Sequence, residues 1–350
     1  MNERAHLRFL VTGATGLIGA DIIERLLAGG HCVLALRRSR SELVCNSGER
    51  LDPARYEGRF GFIDGDIRTD DLAARVSCAT QVRFDAVIHA AALTQFGLDP
   101  PLYTMTNVEG TRHVVRLCRH LEVPLLYVST SYVCGLVRGE VPEALAPVKP
   151  RFGNPYEESK FEAERIVAAS GLPYCILRPS IIVGRRGDGR IREFKQIYVL
   201  LRALTDGKVS AIPGEYDAVL NLVPCDHVAE AIATVACRMA AVERRVMHVA
   251  AREDVSFLDF SNVLAEYPAL RVPRYLGSRS FDVALLEPLE QKYYRKLVEP
   301  YGSYFTRRVR FGLGALDCVS VDAPTGGAGL LREIIAYAES ARYLGRQCYA

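Results

Sequence analysis

The sequence predicts an α/β protein with a doubly wound parallel sheet and a smaller, mixed α/β C-terminal lobe. Three observations predict it. Short apolar runs alternate with amphipathic helical patterns through the first half of the 350 residues, the order that builds a parallel sheet covered by helices on both faces. The first apolar run, residues 9–11, breaks into a glycine turn and then a helix. From Arg185 the loops lengthen and the regular alternation stops. The boundary is therefore drawn between a core, 1–184, and a lobe, 185–350, with residues 218–250 returning strands and a helix to the core.

In chain order, residues 9–11 form the first strand. The turn after it holds Thr12, Gly13, Thr15, Gly16, Leu17, Ile18 and Gly19. Glycines at this spacing between a strand and a helix suit a dinucleotide. Gly13 makes the tight turn, Gly16 lets the backbone approach a pyrophosphate, and Gly19 allows close helix packing. The free N–H groups of the helix then face the phosphates. Leu17, Ile18, Ile22, Ile23, Leu26 and Leu27 give that helix one apolar face. Residues 31–36 are the second strand, ending in Arg37 and Arg38. An acidic residue there would hold the ribose 2′-hydroxyl of NAD. Two arginines suit a 2′-phosphate and predict NADPH, with Arg37 as the first contact and Arg38 beside it.

Residues 39–59 read as a loop and 60–63 as the third strand, which brings Asp66 and Ile67 near the adenine. A helical pattern over 68–82 precedes the fourth strand, 84–88. This runs into Ala90, Ala91 and Ala92, small enough for the backbone to lie against a cofactor. A helix over 102–121 carries Asn107, and 124–128 is the fifth strand. It ends in Ser129, Thr130, Ser131 and Tyr132, at the edge where doubly wound sheets place their chemistry.

A helix start follows at Asn154–Pro155, and it carries Tyr156 and Lys160 four apart, on one helical face. A phenol is a poor proton donor or acceptor at neutral pH. An ammonium beside it lowers its pKa, and the tyrosine then exchanges a proton with a carbonyl oxygen while hydride moves at carbon. The Thr130 hydroxyl is placed to hold the same oxygen, with Ser131 as the alternative.

These segments together resemble the extended short-chain dehydrogenase/reductase family and its Rossmann fold. The resemblance rests on TGATGLIG (12–19), GDI (65–67), HAAA (89–92), NVEGT (107–111), VSTSYVCG (128–135), YEESK (156–160) and RPSIIVG (178–184). It implies Thr130, Tyr156 and Lys160 as the catalytic set, with Lys160 also on the cofactor. Pro179, Ser180 and Ile181, after the sixth strand (172–177), would lie against the nicotinamide. Arg178 is left open between a site role and a structural ion pair.

In the lobe, GRIREFKQIYVLLRAL (189–204), IPG (212–214) and LNLVPCDHVAEAI (220–232) narrow the resemblance to reductases of acyl thioesters: fatty acyl-CoA reductases and the thioester reductase domains of carboxylic acid reductases and peptide synthetases. Residues 298–311 resemble the fatty acyl-CoA reductase tail and depart from it at Gly312. The implied reaction is NADPH-dependent reduction of an acyl thioester, on coenzyme A or a carrier protein, to an aldehyde or alcohol. Ser131, Tyr132, Arg185 and Arg186 are assigned to the substrate. Arg185, Arg186, Arg190 and Arg192 are placed either to meet an anionic carrier or as a solvated basic loop, and the aromatics of 275–311 either line an acyl pocket or fill the core. Residues 191–204 read as one helix, 218–223 as a strand and 228–241 as a helix with Asp226 as its N-cap. Two other readings compete: a dehydrogenase or ketone reductase of a sterol, flavonoid-like or sugar substrate with the same catalytic set, and a nucleotide-binding protein without chemistry.

A net charge of +3 gives no field for nucleic acid. The ten cysteines show no CxxC pair and no metal spacing, so no metal is expected and the setting reads as a reducing cytosol. No apolar run is long enough to span a bilayer. Monomer and homodimer both fit.

Overall fold

In a computed structural model, residues 6–38, 41–205, 207–277 and 280–344 are described; Cys348 lies outside them. The central sheet has seven parallel strands: β1 (Arg8–Thr12), β2 (Cys32–Arg37), β3 (Phe60–Asp64), β4 (Ala86–His89), β5 (Leu125–Val128), β6 (Tyr174–Pro179) and β7 (Arg245–Val249). Their spatial order is β7-β6-β5-β4-β1-β2-β3. The chain winds outward from β1 to β3 and returns through β4 on the other side, which opens a crevice between the carboxyl ends of β1 and β4.

The inner strands β4, β5 and β6 are short runs with both faces buried, so helices must cover both sides. Helices α1 (Gly19–Ala28), α2 (Leu72–Ala79), α3 (Gly110–Leu121), α4 (Pro155–Ala168), α5 (Ile197–Thr205) and α6 (Cys225–Ala236) follow in chain order. Ile22, Ile23 and Leu26 of α1 pack with Val228, Ile232 and Val235 of α6 over one face. Val76 of α2, Val114 and Leu117 of α3 and Val167 of α4 cover the other. A second core in the C-terminal half gathers Tyr198 and Leu201 of α5, Phe257 and Phe260 of α7 (Phe257–Ala265) and Leu331 and Ile334 of α8 (Gly327–Ser340).

Four local expectations are corrected. The stretch 191–204 is not one helix, because α5 begins at Ile197. Residues 190–193 are instead drawn onto the glycine turn. Arg192 Nη2 donates to the carbonyls of Thr15 (3.0 Å) and Gly16 (3.1 Å), Arg192 N to Asn46 Oδ1 (3.0 Å), and Arg190 Nη1 to Ser47 O (2.8 Å). Gln196, with φ +50°, then turns the chain into α5. Residues 102–121 break into a short turn of helix, Pro100–Tyr103, a π-helical turn, Thr104–Glu109, and α3. Asp226 is not an N-cap. Pro224 precedes α6, and the Asp226 carboxylate accepts from Arg186 N (3.0 Å) and Nε (2.8 Å) in the first turn. The strand 218–223 splits: Val219–Leu220 pairs with Val255–Ser256, and Leu222–Pro224 pairs with Ile181–Val183, both outside the central sheet.

Among the described residues no helix is long and apolar enough to cross a membrane, and no cluster of His, Cys, Asp or Glu is arranged to hold a metal ion.

Candidate active site

The crevice opens where β1 turns into α1. Gly13 has φ +78°, and a Cβ there would lie 2.5 Å from Ala91 N. The turn and the end of β4 are therefore packed backbone to backbone, and only glycine fits. A Cβ on Gly19 would lie 2.2 Å from Gly13 O, so Gly19 serves the inner curl of the turn itself. Below it, Thr12 Oγ1 meets His89 Nδ1 at 2.7 Å and His89 Nε2 meets Thr111 Oγ1 at 3.2 Å. Burial holds the His89 imidazole down to about 3, so it is neutral.

Two contiguous cavities follow the crevice, sharing Gly13, Gly16, Ala90 and Ala92. The smaller is lined by Thr12, Thr15, Arg37, Arg38, Asp66, Ile67 and Ala91, with Arg68 and Thr106 besides. Arg37 is tied down: its Nε donates to Asp64 Oδ1 at 3.0 Å, and its guanidinium lies 3.9 Å over the Phe62 ring. Arg38 is exposed at the rim. Arg68, which the sequence reading missed, grips Asp66 through Nε and Nη2.

The larger cavity brings together Leu17, Ile18, Thr130, Tyr132, Tyr156, Lys160, Pro179, Ser180 and Ile181. α4 positions Tyr156 and Lys160. Asn154 caps it through its side chain on Glu157 N (3.0 Å), and Pro155 begins it, a start that fixes the helix's phase. Tyr156 is buried, with Thr130 as a hydrogen-bonding neighbour of its phenol. Ser131 is turned away, donating to Arg178 O at 2.6 Å. Ser180 donates to Asn221 Oδ1 at 2.7 Å, which fixes the 179–181 loop.

The expected lowering of the Tyr156 pKa is not what the geometry gives. Burial, with the Glu157 charge adding to it, pushes the phenol above its ordinary value, and the Thr130 hydrogen bond only partly offsets this. Lys160 is 1% exposed; its Nζ donates to Val128 O at 2.8 Å and lies 4.2 Å from the centre of the Tyr127 ring. Burial brings this lysine down from 10.5 to about 7, so it is not a permanent cation. The phenol is thus held as an O–H donor, the state that protonates an oxygen.

Lys160 makes a stability prediction. Between about 7 and 10.5 the unfolded chain binds a proton that the folded chain does not, so stability from this residue rises with pH across that window. The unfolding free energy of the parent, minus that of Lys160→Met, is expected to rise by about 1–2 kcal/mol from roughly pH 7 to 8.5 in urea titrations. A flat difference refutes it.

Asn107, Ser131, Gly19, Arg185 and Arg186 line neither cavity. Asn107 accepts from Leu93 N (2.7 Å) and donates to Leu93 O (3.1 Å) and Ser159 Oγ (2.9 Å), so it pins the loop after β4 to α4. Arg186 pairs with Asp226 and Glu230. Arg178 forms a buried two-bonded pair with Glu164 (2.9 and 2.7 Å), a structural role. The aromatic tail divides: Tyr301, Tyr304 and Phe305 line the cleft, whereas Tyr275 and Phe311 are core. Phe96, also missed from sequence, joins them, 5.6 Å from the Tyr156 ring and 5.1 Å from Tyr301. Its only signal is its position a few residues after the alanine run.

Comparison with known proteins adds an independent view. The profile of the family described as male sterility protein matches residues 11–232. An isonitrile lipopeptide synthase of Streptomyces coeruleorubidus is 28% identical over 244 residues, 64% of this chain and 16% of that protein. This chain therefore spans about a sixth of that relative. A UDP-glucose 4-epimerase of Mycolicibacterium smegmatis is 28% identical over 236 residues, 64% of this chain and 72% of the epimerase. Among solved structures, the terminal R domain from the myxalamid PKS-NRPS biosynthetic pathway superimposes with a TM-score of 0.78 at 24% identity, covering 97% of this chain and 92% of that one. That likeness is one of fold.

Proposed function

The chain belongs to the male sterility protein family, and from that premise and the cleft we propose that it is a nicotinamide-dependent oxidoreductase reducing an acyl thioester to the aldehyde or alcohol, with NADPH as reductant. The observation that carries the reading is the pairing of Thr130 and Tyr156 with a cleft wall of apolar and aromatic side chains, Phe96, Leu220, Phe257, Tyr301 and Phe305. Such a wall suits an acyl chain better than a hydroxyl-rich sugar. The reductase-domain fold neighbour and the lipopeptide synthase support a substrate delivered on a carrier protein, with coenzyme A as the simpler alternative.

The residues present fit a dinucleotide. The glycine turn admits no side chain at Gly13, free amides open the α1 helix, and the two cavities run on from it. Arg37, Arg38 and Arg68 would hold the ribose end, and Lys160 with Pro179, Ser180 and Ile181 the nicotinamide end. When bound, the reduced nicotinamide supplies the hydride. Thr130 and Tyr156 donate hydrogen bonds to the thioester oxygen and stabilise the charge that develops there. The phenol, held protonated by its burial, then gives up its proton to that oxygen. The resulting thiohemiacetal collapses to aldehyde and free thiol.

The test is NADPH consumption with acyl-coenzyme A and acyl-phosphopantetheinyl carriers, with thiol release followed in parallel. One NADPH per thiol identifies the aldehyde and two the alcohol. NADPH use with ketones or UDP-sugars and none with thioesters overturns the proposal. In the same assay Arg38→Ala is expected to reduce the preference for NADPH over NADH by about tenfold, the worth of one charged hydrogen bond to phosphate. An unchanged preference removes Arg38 from the cofactor site.

A further inference from the structure

The loop 190–196 carries the lobe up to the glycine turn. Ile191, Glu193, Lys195 and Gln196 line the larger cavity together with Gly13, Gly16, Leu17 and Ile18. Arg192, between them, lines neither cavity. Its side chain is 20% exposed and pairs with Glu193 at 2.7 Å. Its Nη2 also donates to the carbonyls of Thr15 (3.0 Å) and Gly16 (3.1 Å). Its backbone N–H donates to Asn46 Oδ1 (3.0 Å), and Asn46 Nδ2 donates to Leu17 O (2.7 Å). Asn46 is itself anchored on Asp21 in the first turn of α1. Three successive carbonyls of the turn are therefore held by this loop, two by Arg192 and one by the asparagine that Arg192 grips.

This hold sets the direction of the turn's amides. In a planar trans peptide the carbonyl and the next N–H point to opposite sides. Fixing Thr15 O, Gly16 O and Leu17 O therefore turns the N–H groups of Gly16, Leu17 and Ile18 away from those contacts. Gly16 N is spent on Gly13 O at 2.9 Å. Leu17 and Ile18 line the larger cavity, and no side chain caps α1. Their amides are thus donors at an uncapped helix start, the arrangement that receives an anion. A hydrogen bond on a carbonyl also polarises its peptide and strengthens the N–H as a donor. Charge points the same way: a cation at the positive end of a helix is unfavourable until an anion joins it, and Arg192 is bonded into that position. We infer that Arg192 is a positioning residue of the cofactor site, which holds the carbonyls of the turn and so aims the Leu17 and Ile18 amides at the diphosphate of a dinucleotide. The lobe then shares in cofactor binding through a side chain that grips the turn rather than the nucleotide. This rests on the dinucleotide reading above.

Two fragments separate the diphosphate from the rest of the cofactor. 2′-Phospho-ADP-ribose carries it; adenosine 2′-monophosphate lacks it and keeps the adenine and the 2′-phosphate. Their Kd values are read by calorimetry in the parent and in Arg192→Met. The variant is expected to bind 2′-phospho-ADP-ribose about tenfold more weakly, the effect of weakening two amide–phosphate hydrogen bonds. Its Kd for adenosine 2′-monophosphate stays within about twofold of the parent value. NADPH and NADH weaken alike, so the preference between them holds, unlike in Arg38→Ala. If Arg192→Met does not fold, Arg192→Lys, which keeps the cation but not the planar fork, carries the same comparison with a loss of about threefold. An equal loss on both fragments marks Arg192 as a general support of the fold and overturns the inference, and so does no loss on either. If the parent binds neither fragment, the dinucleotide reading fails and the inference with it. If the parent binds both and the variant matches it, only the role of Arg192 falls.

Discussion

Tyr156→Phe is expected to lower kcat by roughly 10²–10⁴, the range for loss of a positioned general acid, while KM for the thioester stays within a few-fold. The reasoning separates the ring from its hydroxyl. The ring packs against Phe96 and helps shape the aromatic wall of the cleft, and phenylalanine keeps that contact. The hydroxyl is buried, next to Thr130, and kept protonated by its surroundings, and phenylalanine removes the proton assigned to transfer, leaving the reacting oxygen the Thr130 hydroxyl. Loss of an interaction made mainly in the transition state lowers kcat and kcat/KM together. Steady-state kinetics with NADPH and the best thioester measure it. A variant that turns over as fast as the parent would remove Tyr156 from the mechanism.

Arg307→Met is expected to cost about 3–5 kcal/mol of stability, the range for breaking one side of a buried ion pair. Arg307 and Glu157 have side chains 2% and 0% exposed. The guanidinium also donates to Gly135 O at 2.9 Å and lies 4.5 Å from the centre of the Tyr304 ring. Glu157 accepts in turn from Gly153 N (3.0 Å) and Asn154 Nδ2 (3.0 Å) at the start of α4. The methionine variant leaves the Glu157 charge buried without its partner, one residue from Tyr156. Adding Glu157→Gln to it is expected to recover part of the loss, because the stranded charge is gone. Denaturant unfolding of the two single variants and the double variant measures the coupling. A single Arg307→Met variant as stable as the parent contradicts the argument.

The sheet was legible because its signal is local. Strands such as residues 9–11 and 86–88 are continuous apolar runs followed by helical patterns, and burial on both faces demands that composition. The glycine turn was legible for the same reason. Reading ended where distant residues decide. Nothing in 190–193 says that its backbone is captured by Asn46 and its side chain by Thr15 and Gly16; helical spacing alone favoured a helix. Asp226 has N-cap chemistry, but Arg186 claims its carboxylate from forty positions away. Tyr156 and Lys160 were recognisable by spacing, whereas their protonation follows from burial, which spacing does not encode. The tail aromatics have one composition and two fates: Tyr301, Tyr304 and Phe305 line the cleft, and Phe311 does not.

The pairing of β7 with β6, Arg245 opposite Cys175, also bears on how the molecule is made. The glycine turn and the helix that carries Tyr156 and Lys160 are synthesised before α5, α6 and β7 exist as chain. Until β7 arrives, β6 presents an open parallel edge, the kind of surface that templates association between unfinished chains. Likewise, the part of the apolar face of α1 that α6 covers stays open until α6 docks on it. The two halves are interleaved, since the edge strand β7 and the helix α6 that complete the N-terminal layers come from the C-terminal half. Completion of the sheet waits on a contact spanning the intervening loops, and such non-local pairing is the slow kind.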